Sequence, residues 1–119
     1  NNLKSESDIL SFSKNIKDRF GELPTEINLL YDALRIKWLG KKLGFTRVIL
    51  KDNKVRAYLP DESNNIFYKS SNFTKILNFV KENFETTKMI KKRNKLSILV
   101  EDVQKIENAV SIFKDLHDN

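Results

Sequence analysis

Residues 43–60 read LGFTRVILKDNKVRAYLP, and inside this stretch the spacing of apolar side chains changes from helical to extended. Alternation over residues 45–50 and 55–59 predicts two strands, since side chains of a strand point to opposite faces with period two. Between them stand Asp52 and Asn53, which tolerate positive φ and predict a tight hairpin. In that register Val48, Leu50, Val55, Ala57 and Leu59 share one face. Arg47, Lys51, Lys54 and Arg56 share the other with Ile49 and Tyr58. Pro60, which cannot donate to a ladder, ends the second strand. On the other flank, Leu43-Gly44 reads as a helix stop, with Lys41 and Lys42 placed against the negative end of the helix dipole.

Upstream, the period is 3.6. Ser5 followed by Asp8 predicts a capping box, and Ile9, Phe12, Ile16 and Phe20 recur as one helical stripe, giving a helix over residues 5–19. Gly21 stops it. Pro24 suits the first turn of a second helix over residues 24–43. That helix is apolar on two sides: Ile27, Leu30, Tyr31, Leu34 and Trp38 lie on one, Leu29, Ala33, Ile36 and Leu43 on the other. Two solutions are open. The helix is sandwiched between the first helix and a sheet, or one of its faces waits for a partner.

Downstream, residues 61–71 are polar, with a short strand expected at Ile66-Phe67-Tyr68 before a helix carrying Phe73, Ile76, Leu77 and Val80. A second hairpin is expected over residues 86–91 and 95–100, followed by a helix carrying Ile106, Ala109, Val110 and Phe113, with Asp102 as its N-cap. The second hairpin-then-helix unit follows the first at offsets of 41 residues for the turns and 33 for the helices, compatible with a duplication or with two copies of a common motif. The fold class is α+β: an N-terminal helical hairpin followed by two β-hairpin-then-helix units, a mostly antiparallel sheet with helices packed on one face.

The chain has 119 residues, which sets a single domain, residues 1–119, as the expectation. Leu, Ile, Val and Phe make up about a third of it, well above the roughly 20% below which chains stay disordered, so one modest core can form. With 22 Lys and Arg against 16 Asp and Glu, the formal charge is +6. The absence of cysteine excludes disulfides, thiolate catalysis and sulfur-based zinc sites, and fits a reducing, cytoplasmic setting. No apolar run approaches the length needed to span a bilayer, so no membrane partner is expected. The first residue is Asn1, not an initiator methionine, which suggests a piece of a longer protein.

Little here suits catalysis. One histidine, His117, stands near the end of the chain, so no Ser-His-Asp, Cys-His or histidine-metal set can be assembled, and no cofactor or metal is expected. The carboxylate pairs Asp61/Glu62 and Glu101/Asp102 sit at element ends, where acidic residues commonly cap helices. Gly40-Lys41-Lys42 lacks the leading glycine and the hydroxyl of a phosphate loop. Asn72-Phe73-Thr74 fits a glycosylation sequon, which matters only in a secreted protein. The basic residues are more informative. Pairing of the second hairpin through Arg93-Asn94 places Lys88, Lys92 and Lys95 opposite Met89, Leu96, Ile98 and Val100. Both hairpins then present Arg47, Lys51, Lys54, Arg56, Lys88, Lys92 and Lys95 on one side with Tyr58 among them, a pattern open to two readings. It fits phosphate attraction with base stacking. It also fits lysines that protect strand edges from aggregation.

The run Asp18-Arg19-Phe20-Gly21-Glu22-Leu23-Pro24, then Asn28-Leu29-Leu30 and a helix closing on Leu43-Gly44, resembles the C-terminal (TRCF) domain of bacterial transcription-repair coupling factor, Mfd. The match covers residues 18–44. The resemblance implies a parent protein that is an ATP-driven DNA translocase, displaces stalled RNA polymerase and recruits UvrA through a UvrB-like module. It implies a domain without a motor that docks on the UvrB-like module of its own chain, covers the UvrA-binding surface and restrains the motor, in contact only indirectly with UvrA, RNA polymerase and DNA. Asp18 and Arg19 are the residues it assigns to docking. A carboxylate near a helix C-terminus is disfavoured by the dipole, so Asp18 needs compensation, from Arg19 within the domain or from a basic residue across an interface. Phe20 and Pro24 read as architecture of the inter-helix turn. Two departures stand out: Asn15-Ile16-Lys17 replaces the Glu-Leu often found before the motif, and Gly40 stands where alanine is usual, marking close packing or a bend. The alternatives are a basic nucleic-acid-binding domain and a structural end-cap without regulatory effect.

Overall fold

The computed structural model describes residues 3–119. Helices α1 (Glu6–Phe20) and α2 (Glu26–Leu43) form the N-terminal hairpin. Strands β1 (Arg47–Lys51) and β2 (Lys54–Tyr58) follow, then helices α3 (Asn65–Tyr68) and α4 (Ser71–Glu82). Strands β3 (Thr87–Lys92) and β4 (Lys95–Val100) and helix α5 (Ile106–Asp118) complete the chain. The four strands make one antiparallel sheet in the order β1-β2-β4-β3. The α+β architecture is the one expected, with both hairpins in one sheet and their second strands side by side.

Local chemistry sets most element ends. Ser5 Oγ accepts from the Asp8 N–H at 3.2 Å, but the Asp8 carboxylate turns to the Lys4 N–H at 2.9 Å, so only half of the expected capping box forms. Gly21, at φ 84°, ends α1. Helix α2 starts two residues later than the sequence predicts: Pro24 stays in the turn, its carbonyl accepting from the Ile27 N–H at 3.1 Å. At the other end, the Gly44 N–H reaches the Lys41 carbonyl at 3.1 Å and the Phe45 N–H reaches the Gly40 carbonyl at 2.9 Å, the paired bonds of a Schellman stop. Asp52 and Asn53 adopt φ of 54° and 60°, the two left-handed residues of a type I′ turn, and the register Lys51↔Lys54, Leu50↔Val55, Val48↔Ala57 follows.

Two expectations are corrected. Ile66-Phe67-Tyr68 is helical, not extended, because Asn64 Oδ1 caps the Phe67 N–H at 3.0 Å and Phe67 is drawn into the core. Asp102 is not the N-cap of the last helix. It sits at φ 60°, and α5 begins only at Ile106, where the Lys105 N–H donates to Asn108 Oδ1 at 3.1 Å. The connection is held elsewhere, by the Val103 N–H on the Asn53 carbonyl at 2.8 Å.

The core lies between the sheet and α2, α4 and α5. Val55, Ala57, Ile98 and Val100 from the sheet meet Ile36, Leu43, Ile76, Phe113 and Leu116 from the helices, all buried. Fully burying one such aliphatic or aromatic side chain contributes roughly 1.5–3 kcal/mol. Gly40 lets α2 approach closely: a Cβ there would lie 3.2 Å from Val48 Cγ2 and 3.6 Å from the Phe113 ring. The departure from alanine at that position therefore marks tight packing. The molecule is elongated. Its radius of gyration is 16.0 Å, against about 13.5 Å for a compact chain of this length, because the helical hairpin reaches beyond the sheet.

Gly44 combines φ of 97° with a ring in its path, since a Cβ would meet Phe67 at 2.5 Å. Gly44→Ala is expected to destabilise the fold by about 2–4 kcal/mol, the left-handed penalty of roughly 1–2 kcal/mol plus displacement of the ring. Urea denaturation measures this. An unchanged midpoint would mean that the α2–α3 seam is not a structural determinant.

Candidate functional site

Two surfaces carry the residues singled out by the sequence. The first is the free end of the helical hairpin. Near the sheet, α1 is fastened to α2: Arg35 Nε and Nη2 reach both Glu6 carboxylate oxygens at 2.5 and 3.0 Å, and Nη1 reaches Asp32 at 3.0 Å. Ser13 Oγ donates to Tyr31 Oη at 2.7 Å. Toward the tip the cover runs out. Along the α1 stripe, Ile9 is 5% exposed and Ile16 half-buried, whereas Phe12 is 39% and Phe20, at the tip, 74% exposed. Leu29 and Leu30, at the start of α2, are 57% and 54% exposed.

Both solutions for the two-sided helix are thus realised, each on its own stretch. From Tyr31 onward α2 is covered, with Tyr31 buried and bonded to α1 and with Ile36, Gly40 and Leu43 buried toward the sheet and α5. Its opening turn leaves Leu29 and Leu30 exposed. Phe20 is a surface residue rather than the architecture of the turn, because α2 starts too late to cover the end of the stripe. Asp18 and Arg19 stand beside it, exposed. They form no ion pair with one another or with any other described residue, while neighbouring Lys17 reaches Glu22 at 3.3 Å. Compensation of Asp18 by Arg19 is therefore not formed. The exposure of Leu29 and Leu30 was not foreseen; two adjacent leucines about 100° apart on a short-covered helix end are the signal that could have found it.

The second surface is the sheet face away from the helices. The strand register brings Arg47, Lys51, Lys54, Arg56, Tyr58, Lys88, Lys92 and Lys95 onto it together, as the hairpin reading expects. Arg56 Nη1 donates to the buried Ser97 Oγ at 3.4 Å, a contact the sequence did not indicate because it depends on β2 pairing with β4. Lys88 lies 3.5 Å from Glu101. Lys91, on the opposite face, reaches Glu62 at 2.7 Å, and this hydrogen bond raises its pKa.

Among the described residues no cluster of three or more histidine or carboxylate side chains could hold a metal ion. His117 Nδ1 lies 3.1 Å from Asp118, and its backbone carbonyl accepts from Lys75 Nζ at 2.8 Å. Among the described residues no helix is long and apolar enough to cross a membrane.

A family model described as the TRCF domain matches residues 1–70, the part that contains the helical hairpin, the first β-hairpin and α3. The chain is 37% identical over 105 residues to the transcription-repair-coupling factor of Rickettsia prowazekii (strain Madrid E), a match covering 87% of this chain and 9% of that protein. It is 36% identical over 105 residues to the protein of the same name from Rickettsia typhi (strain ATCC VR-144 / Wilmington), with the same coverage of 87% and 9%. Against the Rickettsia bellii (strain RML369-C) protein of that name it is 35% identical over 96 residues, or 80% of this chain and 8% of that protein. The chain thus spans under a tenth of the length of these curated relatives. No solved structure matches it.

The Glu6–Arg35 bridge gives the hairpin a pH signature. The hydrogen bond from Arg35 holds the Glu6 carboxyl below the usual carboxylate range, against a smaller opposing effect of burial. The bridge therefore stabilises above the ordinary carboxylate pKa, and its contribution is lost as pH falls through the lowered value. Because Glu6 is mostly exposed, the contribution stays under about 1 kcal/mol. Glu6→Gln is expected to lower stability by that amount near neutral pH in low salt, measured by urea denaturation. The gap to the unaltered protein should close in strong acid and in molar salt. A gap that persists there would assign the contact to packing.

Proposed function

The chain belongs to the TRCF domain family, and on that premise we propose that it is a non-catalytic, autoinhibitory docking domain of a transcription-repair coupling factor. In this reading the parent protein is an ATP-dependent DNA translocase that displaces stalled RNA polymerase and recruits UvrA. The domain folds back on the UvrB-like module of its own chain and masks the surface that UvrA uses. The observation that carries the reading is the uncovered tip of the helical hairpin, where Phe20, Leu29 and Leu30 stay exposed beside Asp18 and Arg19. Apolar groups of this size rimmed by charge mark a surface made to meet a partner.

The energetics suit a switch. Tethering through a short linker gives an effective concentration in the millimolar range. A contact with a dissociation constant of about 0.1 mM, some 5–6 kcal/mol, then stays closed roughly nine times in ten. Burial of two or three exposed apolar side chains supplies energy of that order. Asp18 adds specificity more than strength, since a charged pair at the rim of an interface contributes only ~0.2–1 kcal/mol. A competing interaction of a few kcal/mol is enough to open such a lid.

Removal of residues 1–119 from the parent protein is expected to increase both UvrA binding and basal ATP hydrolysis; no change in either would end this reading. Asp18→Arg and Phe20→Ser alter exposed positions, so each should leave the thermal midpoint of the domain nearly unchanged while weakening the restraint. UvrA capture by the full-length variants measures that loss. A collapse of thermal stability in Asp18→Arg would make Asp18 a structural residue instead.

A further inference from the structure

The four strands carry eight lysines and arginines and no aspartate or glutamate. Directly paired residues of antiparallel strands point to the same side, so the register assigns all of these cations except Lys91 to the face away from the helices. Two features of this face run against stability. Lys51 lies directly opposite Lys54, and Lys92 directly opposite Lys95, so each hairpin carries a like-charge cross-strand pair next to its turn. Such pairs are destabilising. Among the described residues, Lys88 is the one cation on this face that forms an ion pair, with Glu101. Off this face Arg35 is clamped between two carboxylates, Glu6 and Asp32.

Protection of exposed edges accounts for lysines on β1 and β3, the outer strands. It does not account for Lys54 and Arg56 on β2 or Lys95 on β4, which are interior strands. Arg56 is half-buried and rests on Ser97 through its 3.4 Å hydrogen bond, which holds a guanidinium without a carboxylate over the middle of the sheet. Tyr58, also half-buried, is the next residue on the same side of β2 and lies directly opposite Ser97. The carboxylates at the margins are Asp52 in the first turn, Glu101 at the end of β4 and Asp61 after β2. Asp61 is engaged by the Ser63 N–H and hydroxyl at 2.9 and 2.6 Å.

From Lys54 at one end of the face to Lys95 at the other, the register spans six residue steps, about 20 Å, across a sheet about 14 Å wide. We infer that this open face is a docking surface for a single-stranded nucleic-acid segment, with the cations on its phosphates and Tyr58 under one base. No helix or ribbon projects from it to enter a duplex groove. A flat basic track with a central aromatic suits a flexible strand that can turn its bases inward. The surface shares no residue with the hairpin tip.

Fluorescence anisotropy of a labelled 12-nucleotide oligothymidylate with the 119-residue chain tests this. Binding in the micromolar range is expected at low salt, with a log–log salt slope near −3, about four phosphates at ~0.7 each. Lys54→Glu combined with Lys95→Glu should weaken binding at least tenfold and flatten the slope by about 1.4. The double variant replaces like-charge pairs with opposite ones and should melt no lower than the unaltered chain. Tyr58→Leu should cost about tenfold with the slope intact, and Tyr58→Phe should restore affinity, as stacking requires. Asp18→Arg should leave binding unchanged, which separates failure of this inference from failure of the docking reading. The inference is overturned by no anisotropy change at about 100 μM chain in low salt, the weak end of non-specific binding. It is equally overturned by duplex DNA binding as well as the single strand with no effect of Tyr58→Leu, or by polyglutamate displacing the oligonucleotide at equal charge, which would assign the face to an acidic protein.

Discussion

Helix α2 and the residue that stops it present no side chain at positions 40 and 44, and the rest of the domain is arranged around that gap. Without a Cβ at Gly40, the helix settles against Val48 of β1 and the Phe113 ring of α5. Without one at Gly44, the chain takes a left-handed residue, closes the Schellman stop and leaves room for the Phe67 ring. Phe67 is in turn stacked edge-on with Tyr68, 5.0 Å between centroids, and packed on Phe73. One turn and a half of helix therefore fixes the sheet, α5 and the α3–α4 corner relative to each other. The cost is conformational: glycine within a helix costs roughly 1 kcal/mol relative to alanine, and packing of the buried rings offsets it.

That anchoring divides α2 into two halves with different duties. The C-terminal half is a core helix. The stretch before Ile36, with α1 fastened to it by Tyr31 and Arg35, extends beyond the sheet and ends in an apolar tip. A helical hairpin that projects an uncovered end suits a docking element, because the backbone that carries the exposed groups is already helical before contact.

Charge is segregated in the same way. Carboxylates accompany the cations of the helical hairpin, whereas the four strands contain none. The like-charge pairs beside both turns are local conflicts that packing does not remove, and such conflicts collect where a surface serves something other than stability. The tip and the sheet face are physically separate, so one domain can carry both without either constraining the other.

Much of this was legible in the chain itself. The change of period after Leu43, the Asp52-Asn53 turn and the glycine stops placed four of the elements, α1, α2, β1 and β2, to within two residues, because side-chain period and φ preference are local properties. The residues of the basic face were legible for the same reason: alternation within each hairpin already sorts Arg47, Lys51, Lys54, Arg56, Lys88, Lys92 and Lys95 from the apolar set. The short run at Ile66-Phe67-Tyr68 misled, since three apolar residues suit strand or helix alike and only the Asn64 cap and the space over Gly44 chose between them. Asp102 misled because a left-handed bend tied to Asn53 postponed the helix. The strand order, the seating of Arg56 on Ser97, the unpaired state of Asp18 and the bare tip at Phe20 were decided by tertiary structure alone. Each depends on which distant segment arrives alongside and how far its cover extends, and no periodicity within a segment records the length of its neighbour.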